Sequence, residues 1–345
     1  MISYHFLFLL EPSFLFPIDV ARGSIYTRWE TMSAKSEKNL KSVLEILSYG
    51  ESLTRDELEK RSGVSRFGVT QALKKLVSDQ TVVMTRPSRT NLYQIEKDYF
   101  HIGTLEVYHV DKYSFCEFKS FNLHGEVVYK DFIENMEESL DALLDHIGEF
   151  LKHDSLITCF GISVPAPCYK GTVYPGAISY LDNIDLKKLL ETRFPLKVAI
   201  QNDANTAVIG YIAHQPEIND AVLLYQPNNV DIGVGIIINK KLYLGRNGMT
   251  GELKMLHDQT MGNAVTSLKS TLQRVILLLN PEKVIVHSLI LDHLEFVRHL
   301  DNVPEIMQPD VEIIKNIGQL FDWGLMKLAI EALYEDKEAN WLRKI

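Results

Sequence analysis

Cysteine is scarce. The 345 residues include three, Cys116, Cys159 and Cys168, and no two stand as Cys-x-x-Cys. That spacing offers neither a disulfide framework nor a cysteine-based zinc site, and a reducing cytoplasm is the expected compartment. Long uncharged apolar runs are also missing. The most apolar stretch, MISYHFLFLLEPSFLFP, is interrupted by Glu11, Pro12 and Pro17 before 18 residues accumulate, which argues against a membrane-spanning helix. No positive charge precedes Phe6 to Leu10, as a secretory signal would require. Residues 1–31 read as an upstream extension, with Met32 as the natural start, or as an arm packing on the unit that follows. Overall positive charge is lacking too: the net charge of −9 excludes a chain that coats nucleic acid along its whole length.

What is present is apolar substance and a local basic patch. At 46% hydrophobic and 10% aromatic, the chain can bury sizeable cores, and its length suits two or three folded units. Between positions 60 and 97 lie eight basic residues and only two acidic ones, Asp79 and Glu96, so basic charge is concentrated in one short segment.

That segment has local order. SEKNLKSVLEILSYG places Leu40, Val43, Leu44 and Leu47 on one helical face, with Ser36 as an N-cap and Gly50 as a stop. Thr54 and Glu57 have capping-box spacing, which predicts a second short helix to Arg61 and a turn at Gly63. Ser65 then caps a third helix, SRFGVTQALKKLVSDQ, burying Val69, Leu73, Leu76 and Val77. Two β-rich runs follow, Val82 to Thr85 and Asn91 to Ile95, around a Pro-Ser turn flanked by Arg86 and Arg89. The pattern predicts a winged helix-turn-helix over residues 32–97 that binds double-stranded DNA. Its recognition helix offers Ser65, Arg66, Phe67, Thr70, Gln71, Lys74 and Lys75. Arg66, Thr70 and Gln71 are assigned to base edges, and Lys74, Lys75, Arg86 and Arg89 to phosphates. The competing reading is a three-helix bundle with a solvated basic face.

Beyond Tyr99, strands and helices mix: VYHVDKYSFCEFKSFNL, EVVYKDF, a helix from about Glu137 to Lys152, the buried strand LITCFGISVP, then KVAIQNDANTAVIGYIA and DIGVGIIINKKLYLG. The run GISVPAPCYKGTVYPGAI, the segment Gln201 to Asn205 and GVGIIINKKLYLGRNGMTGEL resemble, in order and spacing, the ROK family of sugar kinases and sugar-responsive repressors (repressor, open reading frame, kinase). The likeness covers roughly residues 100–345. A winged helix before such a domain is similar to that family's repressor branch, typified by regulators of N-acetylglucosamine and xylose use. The resemblance implies an α/β actin-like, ribonuclease H-like fold over residues 98–345. One lobe takes about 98–208 plus a C-terminal helix at 315–345, and the other about 209–314.

It also implies a sugar cleft. Asp203 falls on the family's catalytic-base position, and Asn202 and Glu252 fall on positions that hydrogen-bond sugar hydroxyls. All three are taken as ligand-binding residues, with a sugar or sugar phosphate as effector. A carboxylate beside Asn202 and Asn205 also suits a structural turn.

Departures from the family pattern weigh against catalysis. The first phosphate loop, Asp-x-Gly-Gly-Thr in kinases, corresponds to Gly103–Tyr108, with bulky side chains where glycines belong. The second corresponds to Asn229–Gly233, where Asp231 would repel phosphate. The family's His and cysteine-rich zinc run is absent: Met255 stands where the sugar-contacting His belongs, with His257 displaced by two, and no cysteine follows position 168. No catalytic residue, cofactor or metal is therefore expected. Three functions compete: a ligand-responsive repressor of carbohydrate genes acting as a homodimer or homotetramer, an active sugar kinase with a DNA-binding head, and a repressor whose pocket no longer binds sugar.

Overall fold

A computed structural model describes residues 33–335, except 111–112, 135–137, 228–231, 254–262, 292, 295–296, 298–299 and 301–302. The expectations for residues 1–31, for Asn229 to Asp231 and for Met255 and His257 lie outside the described residues. Among the described residues no helix is long and apolar enough to cross a membrane.

Three helices open the fold: α1 (Ala34–Leu47), α2 (Arg55–Ser62) and α3 (Arg66–Ser78). The N-cap of α1 is Ser33 rather than Ser36. Both are serines, and Ser36 instead sits in the first turn, its backbone N–H donating to Ser33 Oγ at 3.3 Å. Helix α2 has the expected capping box, with Glu57 N–H donating to Thr54 Oγ1 and Thr54 N–H to Glu57 Oε2, at 3.2 and 2.8 Å. It ends at Gly63, whose φ of +67° is the left-handed conformation a helix stop requires. Ser65 caps α3 as expected. Strands β1 (Val82–Thr85) and β2 (Leu92–Ile95) pair antiparallel as the wing. Leu40, Val43, Leu44, Leu47, Leu58, Val69, Leu73 and Leu76 are all buried at the centre, while Val77 is only half-buried.

The remainder forms two mixed sheets with the same wiring. In the first, β3 (His101–Val110), β4 (Tyr113–Phe121) and β5 (Val127–Ile133) make an antiparallel meander. After helix α4 (Leu140–His153), β6 (Ile157–Val164) pairs parallel with β3. A small sheet of β7 (Cys168–Tyr169), β8 (Thr172–Val173) and β9 (Ile184–Asp185), with helix α5 (Leu186–Arg193), leads to β10 (Lys197–Asn202), parallel to β6. Helix α6 (Asp203–Ala213) crosses to the second sheet. There β11 (Ala221–Gln226), β12 (Gly233–Ile238) and β13 (Lys241–Leu242) form another antiparallel meander. Helix α7 (Ala264–Leu279) precedes β14 (Lys283–Ser288), parallel to β11, and β15 (Asp310–Ile313), parallel to β14. The chain then returns as α8 (Gly318–Glu335), which packs on β3, β6, β10 and α6. This duplicated mixed sheet is the actin-like, two-lobed sugar-kinase fold.

Helix α8 ties the parts together. A Cβ on Gly210 of α6 would overlap the Leu320 carbonyl, and one on Gly324 of α8 would overlap the Thr206 carbonyl, so the two helices touch backbone to backbone. Near its end, Ala329, Ile330, Leu333 and Tyr334 enter the same apolar cluster as the winged-helix core, joined by Phe100, Ile102, Leu123 and Cys159. The Tyr334 and Ser48 hydroxyls lie 2.8 Å apart within it. Beside this junction the buried His101 ring contacts Asp154 at 2.8 Å and Asp98 at 3.2 Å. Burial disfavours the charged ring, but the two carboxylates outweigh it and raise the His101 pKa.

Candidate functional site

Two surfaces bear chemistry, one on the winged helix and one between the sheets. On α3, Ser65, Arg66, Phe67, Gln71 and Lys74 are exposed, as are Arg86 and Arg89 on the wing. Phe67 is 74% exposed, an unusual position for an unpartnered aromatic ring. Two residues are less available than the pattern suggested. Lys75 is ion-paired to Asp79 at 3.1 Å, and the Thr70 hydroxyl donates to the Arg66 carbonyl at 2.8 Å. Arg66 itself lies 3.4 Å from Asp56 of α2, while its backbone N–H donates to Glu59 at 3.0 Å. Glu59 thus occupies the positive end of α3 and Asp56 the Arg66 guanidinium, so a phosphate approaching there meets acids already held by the neighbouring helix.

Between the sheets, Asn202, Asp203 and Glu252 come together. Asn202 is the N-cap of α6: its Oδ1 accepts from Asn205 N–H at 2.8 Å, and its Nδ2 donates to Glu252 Oε1 at 3.3 Å. The Asp203 carboxylate accepts from Ala204 N–H at 2.7 Å. The loop bearing Glu252 is seated by Gly251, whose φ of +90° and contact with the Val234 carbonyl leave no room for a side chain. Gln201 Oε1 accepts from Asn205 Nδ2 at 3.1 Å, fixing the cap from behind.

The phosphate-loop region has a definite structure. Residues 103–108 are continuous strand, registered against β4 throughout and against β6 up to Glu106. Their backbone N–H groups belong to a sheet ladder, whereas a phosphate cradle needs a turn whose N–H groups converge on the ligand. Glu106 meets the fields of Glu117, Asp322 and Asp203; burial above all, and then Glu117, pushes its carboxyl up to about 8, against the opposing pull of Lys119. Lys119 contacts Asp322 at 2.9 Å and Glu117 at 3.0 Å. Across from them Tyr225 of β11 is buried, its ring stacked with His287 at 5.9 Å and edge-on to Phe321. Desolvation first, then Asp203 and Glu106, drives its hydroxyl pKa upward.

Reading along the chain missed Glu106, Glu117, Lys119, Tyr225, His287 and Asp322. The bulky residues at 103–108 were the available signal, but Lys119 and Asp322 are brought together only by the return of α8.

Residues 116–262 match the model of the ROK family. That match takes in less than half of the chain, and over it the chain is similar to the ROK family. It is 26% identical over 230 residues to a xylose repressor of Caldicellulosiruptor bescii, covering 61% of this chain and 56% of that protein. It is 31% identical over 146 residues to a beta-glucoside kinase of Listeria monocytogenes, covering 40% and 48%. The chain thus spans about half the length of the curated relatives it matches. Among solved structures, a ROK family transcriptional regulator described as a homologue of the E. coli MLC protein aligns with a TM-score of 0.63 at 15% identity. That alignment covers 91% of this chain and all of that one. A ROK hexokinase from Thermus thermophilus aligns at 0.51 and 14% identity, covering 70% and 100%. At these identities the ROK structures establish the fold alone.

Proposed function

We propose that this protein is a DNA-binding repressor of carbohydrate-utilisation genes, controlled by a sugar or sugar phosphate in the interlobe cleft and without phosphoryl-transfer activity. The observation that carries this reading is the winged helix-turn-helix itself, with Arg66, Gln71, Lys74, Arg86 and Arg89 exposed on it and its core continuous with α8 of the ROK-like domain. Similarity to a xylose repressor supports the same reading. The domain division proposed is 32–97 for DNA and 98–345 for ligand, with the protein working in the cytoplasm as a homodimer or homotetramer.

In this scheme Arg66 and Gln71 read base edges and Lys74, Arg86 and Arg89 neutralise phosphates. Asn202, Asp203 and Glu252 hold the effector's hydroxyls. Two recognition helices of a dimer enter successive major grooves, and a ligand that binds one lobe arrangement better than the other changes their separation. Because α8 is buried in both the cleft wall and the winged-helix core, it is the element through which such a change travels.

A kinase reading has specific support in the beta-glucoside kinase similarity and in Asp203 at the base position. The strand through residues 103–108 weighs against it. A thermal-shift screen against sugars, their 6-phosphates and ATP with magnesium separates the readings. A shift with sugar and none with ATP is expected. Stabilisation by ATP together with turnover of a hexose would replace this proposal with the kinase, and no shift with any compound would remove the sugar sensor.

A further inference from the structure

One large side chain of the winged helix has no use within the fold. Phe67 stands in the first turn of α3 with 74% of its surface exposed, and among the described residues it joins none of the apolar clusters. The next residue, Gly68, is buried, and a Cβ there would fall 2.7 Å from the Asn39 side chain of α1 and 2.7 Å from that of Val64. This close approach clamps the first turn of α3 against α1, so the outward position of Phe67 is set by the packing beside it.

Phe67 lies in line with side chains that suit a nucleic acid. Gln71 and Lys74, four and seven positions on, share its helix face and are exposed with it, as are Arg86 and Arg89 on the wing. The charge of this surface complements a duplex, and among the described residues Phe67 is the one large apolar side chain that α3 exposes. The turn around the ring is unsuited to phosphate. The N–H groups of Arg66 and Gly68 donate to Glu59 Oε1 at 3.0 Å and Ser65 Oγ at 3.4 Å, and Asp56 lies 3.4 Å from the Arg66 guanidinium. Engaged amides and two carboxylates give the DNA backbone little to hold, so what this turn offers the duplex is the ring and its polar neighbours. In a helix-turn-helix the N-terminal residues of the recognition helix meet base edges in the major groove. Hydrogen-bonding groups dominate those edges, and the apolar group among them is the C5-methyl of thymine, which a phenyl ring matches and which cytosine lacks.

We infer that Phe67 is a specificity-determining residue that reads thymine, its ring packing on the C5-methyl of one thymine in the half-site that α3 enters. The inference rests on the DNA-binding reading proposed above and deepens it; it is independent of the effector.

The test uses the full chain and a duplex enriched from a random library, with each thymine of the enriched sequence replaced in turn by deoxyuridine. That change removes the methyl and keeps every hydrogen-bonding group of the base. Anisotropy titration should find one thymine per half-site at which deoxyuridine weakens wild-type binding about fourfold, as expected for one methyl taken out of an apolar contact. At that position Phe67→Ala should bind thymine and deoxyuridine alike, and Phe67→Leu, which keeps an apolar contact, should retain part of the preference. A half-site without thymine, one whose thymines all tolerate deoxyuridine, or a preference that survives in Phe67→Ala would overturn the inference and leave DNA binding in place. A Phe67→Ala chain that binds every duplex as the wild type does but changes its oligomeric state in sedimentation would also overturn it, assigning the ring to a contact between copies. A library from which no sequence is enriched would remove the inference together with the DNA-binding reading.

Discussion

At the scale of single residues, Glu106 is the most consequential departure from a kinase. Burial, reinforced by Glu117, raises its carboxyl to about 8 in the fold, against an ordinary value of 4.5. The folded protein therefore holds a proton that the unfolded chain releases between those limits, so this residue makes stability fall as pH rises from about 4.5 to 8. Glu106→Gln removes that dependence, and its melting temperature should exceed the wild type's at pH 8 while the two converge near pH 4.5. The difference between the two curves isolates the residue. The His101–Asp154 pair also loses stability as pH rises through the raised His101 pKa, but it is common to both proteins. Glu106 was visible in the chain only as one bulky residue where glycine was wanted. Its neighbours Ser163, Glu117 and Asp322 are distant in sequence, and no local pattern announces a register across three strands.

Elements of the winged helix were far more legible. The Thr54–Glu57 capping box, Gly63 and the apolar periodicity of α1 and α3 are interactions between residues three or four apart, so the chain displays them directly. The N-cap of α1 was misplaced by three residues because Ser33 and Ser36 offer the same hydroxyl. The same short range holds the ion pair of Lys75 with Asp79, four residues on at the C-cap of α3, which commits the Lys75 ammonium within the helix end. On α3, Arg66→Ala should weaken binding to the preferred sequence more than to random duplex, by about 1–3 kcal/mol. Lys74→Ala should weaken both alike and lower the salt slope by about one, measured by anisotropy titrations at several salt concentrations. At the α6–α8 crossing, Gly324→Ala sets a methyl against the Thr206 carbonyl and should destabilise the fold by about 1–3 kcal/mol in urea denaturation.

For the whole molecule, the proposal turns on α8, which reaches the cleft through Asp322 and the winged helix through Tyr334. Tyr334→Phe removes the hydroxyl facing Ser48 at a cost of about 1 kcal/mol and should blunt the response of DNA affinity to ligand more than DNA affinity itself. Asn202→Ala and Glu252→Ala should retain DNA binding and lose the response. The resemblance visible in GISVPAPCYKG, Gln201 to Asn205 and GVGIIINKKLYLG lay in backbone-defining motifs, so it conveyed the two-lobed fold; side chains donated across the interface, such as Tyr225 and His287, lay outside those motifs. The decisive measurement is fluorescence anisotropy of the protein on a duplex enriched from a random library, titrated with xylose, glucose, N-acetylglucosamine and their phosphorylated forms. A change in DNA affinity of about fivefold or more with at least one of them, absent in Asn202→Ala, is the predicted result. An affinity unmoved by every sugar, or a library from which no sequence is enriched, would contradict the account.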